Sequence, residues 1–200
     1  MICLIRHGET EFNREDRIQG HADSPLTEYG RAQARAAGER LRLLVSSAGG
    51  AWRVETSPLA RAVLTAEVVA EAAALPLPVV EPSLIEVSYG ELEGLTRAEL
   101  EDRWPRFRGG ASLFGRAPGG ESFEALIARA RAWLASREGG AHTAAVTHAG
   151  VIRALRGLYL RRSEAEIRGF DKPQDAIFVL ADGRVDRLEC PLLSPVTRPD

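Results

Sequence analysis

Three times along the chain a short apolar run is followed by a capped, Ala- and Leu-rich stretch, and this alternation limits the fold more than any other feature. Residues 2–5 read as a buried strand, followed by a Gly- and Asn-containing loop to about Pro25. Thr27 then serves as N-cap of a helix running toward Ser46. Residues 52–56 read as a second strand, with Ser57 as cap, Pro58 at the first helical position and a helix to about Ala74. Residues 143–147 and 150–160 repeat the pattern. Strands alternating with helices bury their apolar faces as helices layered on a mostly parallel sheet. The expected fold is therefore α/β, a three-layer α/β/α sandwich, and 200 residues suit one domain over 1–200.

Between Leu84 and Gly120 the composition shifts to Gly, Pro, Arg and aromatic residues, with one short helical candidate at 96–104. We read 87–120 as an insertion over one end of the sheet, where loops on a rigid scaffold select substrates. After it, residues 121–137 form an amphipathic helix with Phe123, Leu126, Ile127, Ala130 and Leu134 at helical spacing. Residues 175–180 and 185–188 read as a hairpin across Asp182-Gly183, and 191–200 as a loosely held tail.

Charge excludes some partners. With 26 basic against 28 acidic residues, the chain lacks the broad positive field that nucleic acid or an anionic membrane requires. The first apolar run is too short for a signal peptide and meets Arg6 at once, and no stretch approaches a membrane span of about 18 apolar residues. Cys3 and Cys190 belong to no metal or redox pattern and read as buried thiols of a reducing compartment. A cytoplasmic location is the expectation. Lys172 is the only lysine, an imbalance we read as compositional bias rather than as a phosphate-binding signature.

The chemistry starts at Arg6-His7-Gly8, at the carboxyl end of the first strand, where ligands bind in open α/β sheets. A histidine there can attack a ligand if one ring nitrogen faces it and the other donates to a backbone carbonyl. Gly8 lets the backbone turn and approach closely. By itself the tripeptide fits a strand-end histidine with only local hydrogen bonds equally well. Thr147-His148-Ala149-Gly150 ends another predicted strand, so two imidazoles can meet at one sheet edge. Arg61 falls in the first turn of a helix, where amides and a guanidinium can both address an anion, although such an arginine is more often solvated. Glu86 lies between apolar neighbours and can serve as a proton donor, though most glutamates are surface charges.

Five motifs in order carry a resemblance over nearly the whole chain: LIRHGET with Asn13 and Gln19-Gly20, SPLARAVLTAE, the E-x-x-x-G-x-x-x-G run at 86–94, PGGES at 118–122 and VTHAGVIR at 146–153. The chain resembles the histidine phosphatase superfamily, which includes the cofactor-dependent phosphoglycerate mutases and many small phosphatases. The resemblance implies that His7 is the phosphorylated nucleophile and Glu86 the proton donor. It implies that Arg6, Asn13, Arg61, His148 and the backbone amide of Ala149 bind the phosphate. Gln19, Gly20, Tyr89 and Trp104 are the candidate specificity residues, with loop packing the plainer reading for the aromatic ones and for Phe107. The substrate would be a small phosphomonoester, with no metal and no cofactor; a homo-oligomer is left open.

Within that family the mutases typically read E-R-H-Y-G-x-L-x-G where this chain has Val87 and Ser88 after Glu86. Their loss removes an expected anion contact, which Arg97, Arg103, Arg106, Arg108 and Arg116 could replace only in part. A phosphomonoester hydrolase is the expectation and a phosphoglycerate mutase the alternative. THAGVIR and PGGES are also similar to those of α-ribazole phosphatases. A non-catalytic phosphate-binding module would lack the nucleophile or the acid, and neither is missing here.

Overall fold

The computed structural model describes residues 1–110 and 113–192. Six strands form one sheet in it: β1 (Ile2–Arg6), β2 (Trp52–Thr56), β3 (Val79–Val80), β4 (His142–Thr147), β5 (Ala176–Ala181) and β6 (Arg184–Glu189), in the order β3-β2-β4-β1-β5-β6. The first four are mutually parallel, whereas β5 and β6 run antiparallel at one edge. Seven α-helices accompany them among the described residues: α1 (Glu11–Arg14), α2 (Glu28–Ala48), α3 (Ala60–Ala73), α4 (Arg97–Arg103), α5 (Phe123–Ala135), α6 (Ala149–Tyr159) and α7 (Glu164–Gly169).

The period of two along the central strands divides the core between two faces. Cys3 and Ile5 of β1, Ala144 and Val146 of β4, and Ile177 and Val179 of β5 pack with α2 and α3. Leu4, Ala145, Phe178 and Leu180 face the other way, against α5, α6 and α7. Strands buried on both faces read as unbroken apolar runs, which is why 2–5 and 143–147 were recognisable in the sequence. The result is the expected three-layer α/β/α sandwich around a mostly parallel sheet. Small residues let α2 and α3 approach closely: at Gly38 a Cβ would come within 2.6 Å of the Ala72 Cβ.

Local chemistry sets most element boundaries. Thr27 caps α2, accepting from the Gly30 N–H, and Ser122 caps α5, accepting from the Ala125 N–H. Asp182 and Gly183 both take positive φ, 49° and 74°, the two-residue turn whose twist suits a hairpin. Cys3 and Cys190 are buried free thiols, and burial pushes Cys3 up to about 12 and Cys190 up to about 11.

Four expectations need correction. Ser57 is not the cap of α3, and Pro58 is not its first helical residue. The Ser57 hydroxyl is engaged by His148, so the chain bends through Pro58 and the helix opens at Ala60 after Leu59. On α5 the helical spacing left out Trp133, which is buried in the core beside Leu126 and Ala130, while Phe123, Ile127 and Leu134 pack against that core partly buried. The loop to Pro25 contains α1, closed by a reciprocal Thr10–Asn13 capping box. Of the expected tail, 193–200 lie outside the described residues, while Leu192 packs against the α2/α3 side of the core.

The insertion holds its own small core, where Leu92, Leu100, Phe107 and Leu113 pack with Ile18. The capping box of Thr96 and Glu99 opens α4 within it. An Arg17–Thr96 bridge and the hydrogen bond from Gly94 N–H to the Ile18 carbonyl tie it to the loop after β1.

Candidate active site

Register brings the two predicted histidines together. Arg6 of β1 pairs with Thr147 of β4, so the next residues, His7 and His148, leave adjacent parallel strands side by side. Their ring centroids are 5.1 Å apart and the rings are inclined by 55°. The His7 amide donates to the Thr147 carbonyl at 2.9 Å, and the Ser57 amide to the Val146 carbonyl at 3.0 Å, which brings the end of β2 alongside.

His7 is 3% exposed and its Nδ1 lies 2.8 Å from the Gly8 carbonyl oxygen. A carbonyl only accepts, so Nδ1 carries the proton and Nε2 keeps its lone pair. Burial lowers the pKa of His7 well below 6.5, and the charges of Arg6 and Arg61 lower it further, against the Gly8 hydrogen bond. The imidazole is therefore neutral near pH 7. His148, fully buried, is lowered in the same direction by burial, then by His7, Arg61 and Arg6.

Arg6 stands at the mouth of this pair. Its Nη1 donates to the Lys172 carbonyl at 2.6 Å, its Nε is buried without a partner among the described residues, and burial draws its pKa down to about 10. Arg61, 1% exposed, donates to the carbonyls of Gly20 and Ala22 and to Asp23. It thus organises the 20–23 loop while its charge is felt at both histidines. Glu86 is 6% exposed; Oε1 accepts from the amides of Val87 (2.9 Å) and Gly150 (3.2 Å), and Oε2 from Gly150 at 3.3 Å.

Above this floor opens a cleft of about 400 Å³ lined by Arg6, Asn13, Gln19, Glu86, Tyr89 and Ala149, together with charged residues from several elements. Asn13 accepts from the Thr10 amide and the Gln174 side chain through Oδ1. Ala149 opens α6, whose positive end faces the cleft. Gln19 donates to Thr10 Oγ1 at 2.7 Å. Burial and the Glu86 charge raise the pKa of Tyr89, so its phenol is neutral.

Two specificity candidates are not brought to the cleft. Gly20 takes φ 55° and a Cβ there would run into the Glu93 carboxylate, so its part is to seat Arg61. Trp104 packs in the core of the insertion beneath a stacked Arg103. Val87 and Ser88 do not line it either: Val87 is 1% exposed in the α5/α6 core, and the Ser88 hydroxyl donates to Glu93. Of the arginines weighed as replacements, Arg97 does line it.

The sequence reading missed several residues of the site. Ser57 Oγ lies 2.7 Å from His148 Nε2, and Glu93 accepts from the amides of Ala22 and Tyr89, joining the two loops around Arg61. His21 Nε2 donates to the Glu86 carbonyl at 2.8 Å. Lys172 and Arg153 reach the cleft from the far end of the chain. The solitary lysine was a usable signal, set aside as bias. Among the described residues no group of three His, Cys, Asp or Glu could hold a metal ion, and no helix is long and apolar enough to cross a membrane.

A mostly parallel α/β sheet whose adjacent strand ends present two neutral histidines, flanked by arginines and one buried carboxylate, defines a class of anion-handling α/β proteins. The chain belongs to the histidine phosphatase superfamily (branch 1), whose pattern it matches over residues 2–184. The probable phosphoglycerate mutase GpmB of Klebsiella pneumoniae subsp. pneumoniae is 41% identical over 138 residues, 68% of this chain and 61% of that protein. The match thus spans about three-fifths of the length of the curated relatives. A mycobacterial glucosyl-3-phosphoglycerate phosphatase, solved with VO3, is 30% identical with a TM-score of 0.73, covering 89% of this chain and 92% of its own. An α-ribazole phosphatase from Shigella flexneri is 26% identical with a TM-score of 0.73, covering 98% and 99%.

Proposed function

We propose that the protein hydrolyses small phosphomonoesters through a phosphohistidine on His7. The observation that carries this reading is the hydrogen bond from His7 Nδ1 to the Gly8 carbonyl, which leaves Nε2 as a neutral nucleophile beside Arg6 and His148. In the first half-reaction Nε2 bonds to phosphorus as the ester P–O bond breaks, and Glu86 gives its proton to the departing oxygen. In the second, water attacks phosphorus, the P–N bond breaks, and Glu86 takes the proton from water. Arg6, Arg61, His148, the Asn13 side chain and the Ala149 amide offset the charge on the phosphoryl oxygens in both. Similarity to the glucosyl-3-phosphoglycerate and α-ribazole phosphatases supports hydrolysis; the latter activity is one specific identity.

A phosphoglycerate mutase is the second reading, favoured by the similarity to GpmB and by Arg97 in the cleft. The buried place of Val87 supports the hydrolase, because that position offers the cleft no anion contact. Rapid-quench labelling with a phosphomonoester, followed by peptide mapping, should find acid-labile phosphate on His7. Turnover should survive chelators and be inhibited by vanadate. Label elsewhere, full activity in His7→Ala, or strict dependence on a divalent metal rejects the mechanism. Phosphoglycerate interconversion primed by 2,3-bisphosphoglycerate, with negligible phosphate release, selects the mutase.

A further inference from the structure

The PGGES run at 118–122 does not line the cleft, and the mechanism gives it no part. The structure places it against the segment that carries Glu86. The Pro118 carbonyl accepts from the Glu91 amide at 3.1 Å, and the Ser88 carbonyl accepts from the Glu121 amide at 2.9 Å. The two backbones touch: a Cβ on Gly120 would come within 2.6 Å of the Ser88 carbonyl oxygen, and one on Gly90 would run into the Pro118 carbonyl. Only glycine at both positions permits this approach.

The run also supplies Glu121, whose carboxylate holds Arg129 of α5 at two points, Nε to Oε1 at 2.7 Å and Nη2 to Oε2 at 2.8 Å. Both side chains are half-buried, and the planar fork fixes the guanidinium. That leaves Nη1, which donates to the Ser83 carbonyl at 2.7 Å. Ser83 and Ser88 stand three residues before and two after Glu86. Arg129 thus holds one flank of Glu86, and the Glu121 backbone the other. Helix α5 is tied to the sheet elsewhere: Trp133 Nε1 donates to Glu55 at 2.9 Å, and Arg137 pairs with Glu55 and Glu81 at 3.1 and 3.0 Å.

We propose that Arg129, oriented by Glu121, is a positioning residue for Glu86. The inference rests on the hydrolase reading for the role of Glu86 as proton donor. Residues 85–89 belong to neither helix nor strand, so the direction of the Glu86 carboxyl depends on ties made by its neighbours. The Thr147 hydroxyl supplies one, donating to the Leu84 carbonyl at 2.6 Å, and Arg129 supplies the next at Ser83. Proton transfer is sensitive to small displacements of the donor, so slack in these ties is felt at the leaving group. The charge of Arg129 also reaches His148, an effect common to all substrates.

The test takes Arg129→Met through alkyl phosphates and 4-nitrophenyl phosphate side by side. For the alkyl series kcat/KM should fall by about tenfold to a hundredfold, while the aryl value and vanadate inhibition each stay within about threefold of the native protein. Because the loss acts through Glu86, Arg129→Met should slow the Glu86→Gln protein by no more than about twofold on alkyl phosphates. Glu121→Gln keeps the size of the side chain and one acceptor for Arg129, so it should show the same pattern at smaller amplitude, and it carries the comparison if Arg129→Met does not fold. Equal falls in both series, no fall in the alkyl series, or an undiminished further fall in the Glu86→Gln background overturns the inference and leaves the hydrolase reading standing. If the native protein turns over no phosphomonoester, the hydrolase reading fails, and amide hydrogen exchange decides the positioning. The Val87 and Gly150 amides, which donate to the Glu86 carboxylate, should then exchange about tenfold faster in the variant with Val146 of β4 unchanged, and unaltered exchange at both overturns the inference.

Discussion

Ser57 Oγ lies 2.7 Å from His148 Nε2, at the point where β2 and β4 end side by side. The Leu59 amide donates to that oxygen at 3.3 Å, and the same hydroxyl can accept that bond while giving its own proton to Nε2. The ring's own proton then sits on Nδ1, which is buried and has no partner among the described residues. In that tautomer, the phosphate contact proposed for His148 would come from Nδ1–H, and Ser57 would be the residue that positions it.

Replacing Ser57 by Ala should release that tautomer. Vanadate inhibition should weaken about tenfold, the worth of one hydrogen bond to a charged group, with the unfolding midpoint little changed. Ser57→Thr keeps a hydroxyl and should restore much of the affinity. Equal vanadate inhibition in all three proteins would remove Ser57 from the positioning role.

The loop that carries His7 depends on contact between two backbones. A Cβ on Gly8 would run into the Gly30 carbonyl, and one on Gly30 into the backbone of Glu9. Neither backbone can yield without moving β1 or the first turn of α2. Gly8→Ala or Gly30→Ala should therefore cost about 3 kcal/mol in urea unfolding. Gly169, which has open space around its Cα, should tolerate Ala with a change within about 0.5 kcal/mol. Parallel behaviour of all three variants would reject the close-approach argument.

The parts of this fold that were legible are those whose causes are local. Apolar runs buried on both faces marked β1 and β4, Thr27 opened α2, and Asp182-Gly183 closed the hairpin, each within a few residues of its cause. The two histidines followed, because a strand end is a place as well as a boundary. Ser57 was misread because the same hydroxyl can cap a helix or bond His148, 91 residues away, and sequence shows only the first option. Helices α1 and α7 were missed because four and six residues carry no hydrophobic period, only their capping boxes. Lys172 meets Arg6 across 166 residues, a juxtaposition that exists only after the sheet has formed.

Two buried neutral histidines make stability depend on pH. In the unfolded chain both rings take up protons near pH 6.5, whereas in the folded protein His7 and His148 do so only well below that value. The unfolded state thus binds more protons as pH falls through 6.5, and stability is lost in that direction. The slope should approach about 1.4 kcal/mol per pH unit for each ring. Denaturant midpoints measured from pH 8 to 5.5 should fall below pH 6.5, and His148→Asn should flatten that decline. Flat midpoints over this range would mean that the rings ionise as readily folded as unfolded.

Glu86 gives the sharpest test of the chemistry, because its hydrogen bonds allow the proton to be removed without removing the structure. Oε1 accepts from the Val87 and Gly150 amides, contacts that the carbonyl oxygen of Gln can keep. Glu86→Gln should therefore fold normally yet have no proton to transfer. Alkyl phosphates leave as poor anions unless protonated, so their kcat/KM should fall by about 10²–10⁴. Aryl phosphates such as 4-nitrophenyl phosphate leave without that help, and their kcat/KM, which reports only phosphorylation of His7, should fall far less. Water attack in the second half-reaction still needs the carboxylate, so with the aryl substrate the variant should release a stoichiometric burst of nitrophenol and accumulate phosphohistidine before a slow steady state. An equal fall of kcat/KM for both substrate series, without a burst, would show that Glu86 holds the 86–94 loop in place rather than moving the proton.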